Sequence, residues 1–194
     1  MNRIVRTGHF EQTIRNSRFI GVAGPARDEA AAREFVRDRG EAGCRHVCFA
    51  LRCGDSVRFD DAGEPGGTAG RPMLAALDHH ELDFSVVVVS RFFGGVKLGT
   101  GGLARAYGGT AMQAIADAGT EPIIETVVLE CRVPFDSAGE VHQLAERAGA
   151  NKRNEHWDEC GLELTLEIAR VAADRFVDEL TAVTHGQSSV KKPG

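Results

Sequence analysis

Hydrophobic and polar residues alternate most regularly in the second part of the chain, from Thr126 onwards. Between residues 162 and 168 an aliphatic residue stands at every second position, with Glu163, Thr165 and Glu167 between them, which is the period of a strand with one buried face. The elements predicted for this part are strands at 127–133, around Trp157 and at 162–168, and helices at 141–148 and 176–183. This β-α-β-β-α order is typical of a ferredoxin-like sandwich, and a closing strand after Ser188 stays open.

The first part of the chain also mixes strands and helices. Residues 86–89 are all valine, which predicts an interior strand that is buried on both faces. Other predicted elements are strands at 19–23, 47–51 and 57–59, and helices at 28–39, 71–78 and 103–118. Gly119 and Pro122 end the last helical pattern and separate the two parts. The sequence therefore predicts an α+β protein of two domains, residues 1–122 and residues 123–194.

Charge and composition restrict the function classes. The chain of 194 residues has a net charge of −5, and residues 125–194 account for all of it with 8 basic and 13 acidic residues. This excludes a generally basic nucleic-acid protein but not a local basic patch in the first part. No apolar run is long enough to cross a membrane, and no export signal is visible at the N-terminus, so we expect a cytoplasmic location. The five cysteines are odd in number and contain no CxxC pair, which indicates reduced thiols.

A glycine-rich segment, residues 93–102 and hereafter the glycine loop, joins the valine strand to the following helix. Arg91, Lys97 and Arg105 are the only charged residues at positions 84–116. A strand, a glycine-rich turn, a helix N-terminus and three cations together predict an anion site for the phosphate of a nucleic acid or nucleotide. The alternative is that the glycines only allow tight packing, because the string GTGGLA lacks the last glycine of GxGxxG.

A second unusual segment, residues 60–70 and hereafter the acidic loop, has three carboxylates, on Asp60, Asp61 and Glu64. They have the oxygen ligands that Mg²⁺ prefers beside a phosphate. They are also suited to capping the next helix and pairing with arginines, and turn chemistry accounts for the proline and glycines without a metal. We favour the second interpretation and expect no metal, no cofactor and no catalytic residue.

The two loops together resemble the signature of the IMPACT/YigZ family. The strings are DAGEPGGTAGRPML at 61–74 and SRFFGGVKLGTGGLARAYGG at 90–109, and NSRFIGVAGPA at 16–26 is similar to that family's start. The resemblance implies a first domain like domain 2 of ribosomal protein S5 and a ferredoxin-like second domain similar to domain V of elongation factors. The family motif falls on Asp61, Glu64, Thr68, Gly70, Arg91, Gly94, Gly95, Lys97, Gly99, Gly101, Gly102, Arg105 and Tyr107.

The resemblance implies a non-enzymatic binding protein connected with RNA, the ribosome or a translation-related protein, and acting in translational regulation. On this hypothesis Arg91, Lys97 and Arg105 contact phosphate on a frame formed by Gly99, Gly101 and Gly102. Tyr107 is placed to stack on a base or, as its position in the apolar stripe favours, to fill the core. The alternatives are a nucleotide- or phosphate-binding enzyme that uses the glycine loop, and an adaptor that binds a protein through the same surface. No membrane partner is expected.

Overall fold

The computed structural model describes residues 1–192, and the chain divides into two compact units, Met1–Ile123 and Ile124–Gly194. The sequence places the boundary after residue 122, beside this division. The first unit contains, in chain order, β1 (Asn2–Ile4), β2 (Gly8–Ile14), β3 (Ser17–Pro25), α1 (Glu29–Arg39), β4 (His46–Cys53), β5 (Ser56–Asp60), α2 (Gly70–His79), β6 (Ser85–Phe92), α3 (Thr100–Ala118) and β7 (Thr120–Pro122).

The first unit is built around a five-stranded antiparallel sheet with the order β2-β3-β6-β4-β5. The valine strand β6 lies at its centre, as its uniform hydrophobicity predicts. Val86 and Val88 pack into a cluster with α1, while Val87 and Val89 pack against α2 and α3 on the opposite face. The sheet is antiparallel, yet both of its faces are buried because helices cover each of them.

Local sequence explains where the helices of this unit begin. Asp28 precedes α1, and its carboxylate accepts a hydrogen bond from the amide of Ala31 at 2.8 Å, which caps the helix. Helix α3 begins after Gly99, which has φ +74°, a conformation that favours glycine. Because Gly99 has no side chain, the N-terminus of this long helix receives no side-chain cap within residues 1–192. The first turn of α3 therefore keeps donors that no side chain satisfies.

The second unit contains β8 (Thr126–Val133), a 3₁₀ turn (Phe135–Ser137), α4 (Ala138–Arg147), β9 (Asn151–Asp158), β10 (Gly161–Ala169), α5 (Arg170–Val183) and β11 (Ser189–Lys191). Its four antiparallel strands have the order β11-β8-β10-β9. The alternating residues of β10 fill its core with Leu162, Leu164, Leu166 and Ile168, beside Leu144 of α4 and Phe176 of α5. The closing strand that the sequence leaves open is thus present as β11.

The mixed helix and sheet content confirms the α+β class. Among the helices of residues 1–192, none combines the length and hydrophobicity that a bilayer span requires. Within the same residues, no three His, Cys, Asp or Glu side chains are grouped so that they could hold a metal ion.

Candidate functional site

The acidic loop is folded around the carboxylate of Asp61. This carboxylate accepts hydrogen bonds from the amides of Gly67 at 2.7 Å, and of Ala69 and Gly70 at 2.8 Å each. Gly70 is the first residue of α2, whose own N-cap Ala69 has no side-chain oxygen to offer. Burial raises the pKa of Asp61, but the three amide donors and nearby Arg71 outweigh it and hold that pKa below its ordinary value.

Glu64, in the same loop, is the acceptor of a buried polar cluster. Its Oε1 accepts from Nη1 of Arg91 at 2.6 Å and from the hydroxyl of Tyr107 at 2.7 Å. The side chains of Glu64 and Arg91 are only 4% and 5% exposed. Burial, then the neighbouring Cys48 and the hydrogen bond to Glu64, raise the pKa of Tyr107, so its hydroxyl stays a donor. A buried charge pair of this kind requires both partners.

Arg91 also connects the glycine loop to the start of β3. Its Nη2 donates to the hydroxyl of Ser17 at 3.3 Å, and that same hydroxyl accepts the amide of Gly94 at 3.2 Å. The guanidinium carbon lies 5.4 Å from the ring centroids of both Phe19 and Phe93. Within residues 1–192 its Nε has no hydrogen-bond partner, which fits its position close to two aromatic rings.

The placement of Arg91 corrects one sequence-based expectation. As a surface cation it would contact phosphate together with Lys97 and Arg105, but its side chain is buried and neutralised by Glu64. The side chain of Arg91 points inward, because Arg91 lies in β6 on the same face as Val87 and Val89, which pack against α2 and α3. Tyr107 is likewise fully buried, so it fills the core rather than stacking on a base. Arg91, Glu64 and Tyr107 therefore stabilise the two loops from within the core.

The carboxylates of the acidic loop are occupied in ways that favour capping and pairing over Mg²⁺ binding. Asp61 receives backbone amides, and Glu64 receives Arg91 and Tyr107. The loop is fixed from the sheet side as well, where Cys48 donates to the carbonyl of Asp61 at 3.1 Å. Thr68 closes the loop by donating its hydroxyl to the carbonyl of Pro65 at 2.7 Å. This loop is thus a rigid support for the residues above it.

The glycines of the glycine loop lie in different environments. A Cβ on Gly94 would lie 2.0 Å from the carbonyl of Asn16, so only glycine fits there. Gly95 and Gly99 have positive φ values of 84° and 74°, which favour glycine at the turn into α3. Gly101 stands in the exposed first turn of that helix, where a Cβ would approach only the side chain of Arg105, at 3.6 Å. Gly102 packs beside Leu98.

Three exposed cations come from the β2–β3 turn, the glycine loop and the first part of α3, and we call them the cation cluster: Arg15, Lys97 and Arg105. Arg15 and Arg105 line one cavity of about 190 Å³, together with Ile14, Leu98, Gly102 and Ala106. Lys97 directly precedes Leu98 in the glycine loop. Across residues 1–192 none of the three cations forms an ion pair, unlike most arginines of this chain. The cluster therefore combines free positive charge with the free amides of α3.

Arg15 is a site residue that the sequence reasoning misses. It lies with Asn16 in the tight turn between β2 and β3, where their φ values are +45° and +61°. Such a turn needs two residues with positive φ, and Asn is a common choice for one of them. Phe10, Gln12 and Ile14 alternate with exposed residues in β2, and Asn16 follows them. This pattern in the sequence indicates the hairpin.

The chain is thus an α+β protein of two units, in which the first unit presents two interlocked loops and a cluster of free cations. A profile of the Impact N-terminal domain matches residues 15–115. Those residues include both loops and all three members of the cation cluster, and they span more than half of the chain. The chain therefore belongs to the IMPACT family, which confirms the resemblance of its motif strings.

Individual relatives agree with this assignment. An IMPACT family member of Thermus thermophilus, encoded in the pol 5' region, is 46% identical over 68% of this chain and 73% of its own length. One of Haemophilus influenzae is 34% identical over 92% of this chain and 89% of its own length. A crystal structure described as that of a hypothetical protein superposes with a TM-score of 0.68 at 27% identity, covering 100% of this chain and 97% of that chain.

Proposed function

We propose that this chain is a non-enzymatic RNA-binding protein that acts in the cytoplasm, with the ribosome or a translation-related partner, in translational regulation. The observation that carries the proposal is the cation cluster, because within residues 1–192 Arg15, Lys97 and Arg105 form no ion pair and lie near the start of α3, which has no side-chain cap there. Phosphate is the ligand that such an arrangement attracts, through amide donors, helix dipole and basic side chains together. Arg91 contributes indirectly, by holding the glycine loop in place.

The fold supports a translation-related role by analogy. We assign the second unit to the ferredoxin-like class, since its order β-α-β-β-α-β and its strand order β11-β8-β10-β9 are those of the split β-α-β sandwich. We assign the first unit to the class of domain 2 of ribosomal protein S5. A fold alone does not define a function, so the proposal rests on the cation cluster.

RNA binding is tested with a fluorescently labelled single-stranded RNA and the full chain, by anisotropy at low salt. The site variant carries Arg15→Glu, Lys97→Glu and Arg105→Glu. The matched control carries Arg37→Glu, Arg39→Glu and Arg45→Glu, three other exposed arginines of the first unit that form no ion pair within residues 1–192. Both variants change the net charge equally, so a general field effect lowers their affinities alike.

We expect the site variant to lose RNA binding at least tenfold more than the control variant. Equal losses in the two variants would contradict the site. A substitution of Arg91 is unsuited to this test, because it would leave Glu64 buried without its cation. Pull-down from lysate with and without ribonuclease distinguishes RNA binding from the adaptor alternative. A protein partner that binds the same surface stays bound after the digestion.

A further inference from the structure

Two aromatic rings are stacked on the surface of the second unit and form what we call the aromatic platform: Phe135 and Trp157. Their ring centroids are 5.8 Å apart with an interplanar angle of 18°. Phe135 is 52% exposed and Trp157 is 46% exposed, and neither belongs to the buried core cluster of this unit. Large aromatic side chains that face solvent together are typical anchors of interaction surfaces.

The sheet register explains why the two rings meet. Leu162 of β10 pairs with Val133 on one side and with Trp157 on the other. Phe135 follows Val133 by two residues, in the 3₁₀ turn that begins as β8 ends, and so reaches across the end of β10. The indole is further fixed, because its Nε1 donates to Oε1 of Glu155 at 3.0 Å. The platform is therefore a preformed surface on ordered elements.

The charges around the platform favour a cationic partner. Asp136 directly follows Phe135, Glu159 follows Trp157 by two residues, and both are exposed. In the part of the chain that the structure describes, neither carboxylate forms an ion pair. The nearby cation Arg132 is occupied, since it bonds to Asp158 and lies 3.3 Å from Glu163. Asp136 and Glu159 thus stand close to the rings in the sequence with free carboxylates, whereas Arg132 and Lys152, which pairs with the Glu155 that binds the indole, are both neutralised.

We propose that the aromatic platform is a docking site for an arginine-bearing, basic segment of a partner protein. A guanidinium stacks on an exposed ring face and is attracted by its electrons. The carboxylates of Asp136 and Glu159 attract the remaining basic groups. The net charge of −5 on residues 125–194 adds a field that draws cations and repels phosphate. A nucleic-acid strand, which would use the same rings for base stacking, is therefore disfavoured here.

This surface is independent of the cation cluster, because every residue it uses belongs to the second unit. The aromatic platform would bind a basic protein segment, whereas the first unit is proposed to bind RNA. The two proposals can therefore fail separately: loss of RNA binding in the Arg15, Lys97 and Arg105 variant has no bearing on the platform.

The single tryptophan of the chain provides the readout. Trp157 is the only one, so its fluorescence reports on the platform in the full chain. The probe is a capped Gly-Arg-Gly-Arg-Gly-Arg-Gly peptide, titrated at low salt. The control peptide has citrulline, the uncharged analogue, in place of each arginine. We expect a saturable change of Trp157 emission with the arginine peptide and none with the citrulline peptide at the same concentrations.

Two variants keep the reporter and weaken the platform. Phe135→Ala removes one ring, and we expect it to lower the affinity for the arginine peptide about two- to fivefold. Asp136→Asn with Glu159→Gln removes the free carboxylates, and we expect lower affinity with a weaker dependence on salt. Phe59→Ala, which removes an exposed ring from the first unit, is the matched control and should leave the affinity unchanged.

Several outcomes would overturn the proposal. One is equal binding of the citrulline peptide, which would make the interaction independent of positive charge. Another is an unchanged affinity of Phe135→Ala. A third is a response of Trp157 to a uridine octanucleotide at lower concentrations than to the arginine peptide, which would make the platform a base-stacking surface. Circular dichroism of each variant verifies that the second unit is folded.

Discussion

Glu64 connects the two motif loops of the first unit, because its carboxylate binds both Arg91 near the end of β6 and Tyr107 in α3. All three side chains are buried. Removing one member of a buried ion pair leaves the other charge without compensation, which is far more costly than losing an exposed pair. The integrity of the site therefore depends on residues that a ligand at the surface does not touch.

We expect Arg91→Met to lower the free energy of unfolding by about 3–5 kcal/mol, because Glu64 stays buried without its cation. Adding Glu64→Gln in the same chain should recover part of this loss, since the amide is neutral and still accepts from Tyr107. Arg105→Met, at an exposed position of the cation cluster, should change stability by less than about 0.5 kcal/mol. Urea denaturation measures all three. A loss for Arg91→Met as small as that for Arg105→Met would contradict the buried pair.

Asp61 gives the stability of the first unit a defined dependence on pH. Its pKa is lower in the folded chain than the value of about 3.9 expected for an unfolded one. Its stabilising effect is therefore complete above the unfolded value and is lost as the pH falls through the lower folded value. We expect Asp61→Asn to lose less stability than the parent protein as the pH falls below about 5. Urea midpoints across this range provide the measurement, and parallel curves would contradict the role of the carboxylate.

At the scale of elements, the glycine loop is shaped by close backbone approach at one end and by helix geometry at the other. Gly94 lies against the carbonyl of Asn16, whereas Gly101 stands in the open first turn of α3. The two glycines belong to one motif, but the structural reason for glycine differs between the two positions. Only the first is required by the packing of the β2–β3 turn against the loop.

This difference predicts opposite effects of the same substitution. Gly94→Ala forces a Cβ into the backbone of Asn16, and we expect it to destabilise the first unit by about 1–3 kcal/mol or more. Gly101→Ala brings its Cβ into ordinary contact with the flexible side chain of Arg105 only, and should stabilise α3 by up to about 1 kcal/mol. Thermal unfolding of both variants is the measurement. Equal destabilisation by the two substitutions would show that the loop does not approach the β2–β3 turn in this way.

Periodicity predicts most of the elements, because burial of one face imposes a period that the sequence displays. The valine strand and the alternation in β10 are examples, and the motif strings predict the family. The burial of Arg91 cannot be predicted from the sequence. A charged residue at a strand end is buried only where a neighbouring element provides a counterion. Here Glu64, 27 positions earlier, supplies its counterion. Arg15 is not predicted as a site residue either, because a turn without glycine is only weakly indicated by its sequence.

At the scale of the whole molecule, the five cysteines test the packing of both units at once. Burial raises the pKa of Cys48 to about 12 and those of Cys53 and Cys131 to about 11. Cys160 is exposed in the turn between β9 and β10. Since the thiolate is the reactive form, we expect Ellman's reagent at pH 8 to modify exposed Cys160 first, half-buried Cys44 more slowly, and the three buried thiols only after unfolding. Rapid modification of Cys48 or Cys131 in the native protein would contradict these cores.

Charge is divided between the units in a way that matches the two proposed surfaces. Residues 1–124 are neutral overall, with 15 basic and 15 acidic residues, yet they contain the free cation cluster. Residues 125–194 carry the whole net charge of −5 and contain the aromatic platform. A few unpaired cations on a neutral unit imply few phosphate contacts, and therefore modest affinity with a shallow dependence on salt.

The dependence of RNA affinity on salt therefore tests the cation cluster most directly. For three phosphate contacts on a single strand, the logarithm of the association constant should fall against the logarithm of salt concentration with a slope of about −2. We expect this slope for the parent protein and for the Arg37, Arg39 and Arg45 control variant. The Arg15, Lys97 and Arg105 variant should lose most of it. A slope that is unchanged in this variant would contradict the assignment of phosphate contacts to the cation cluster.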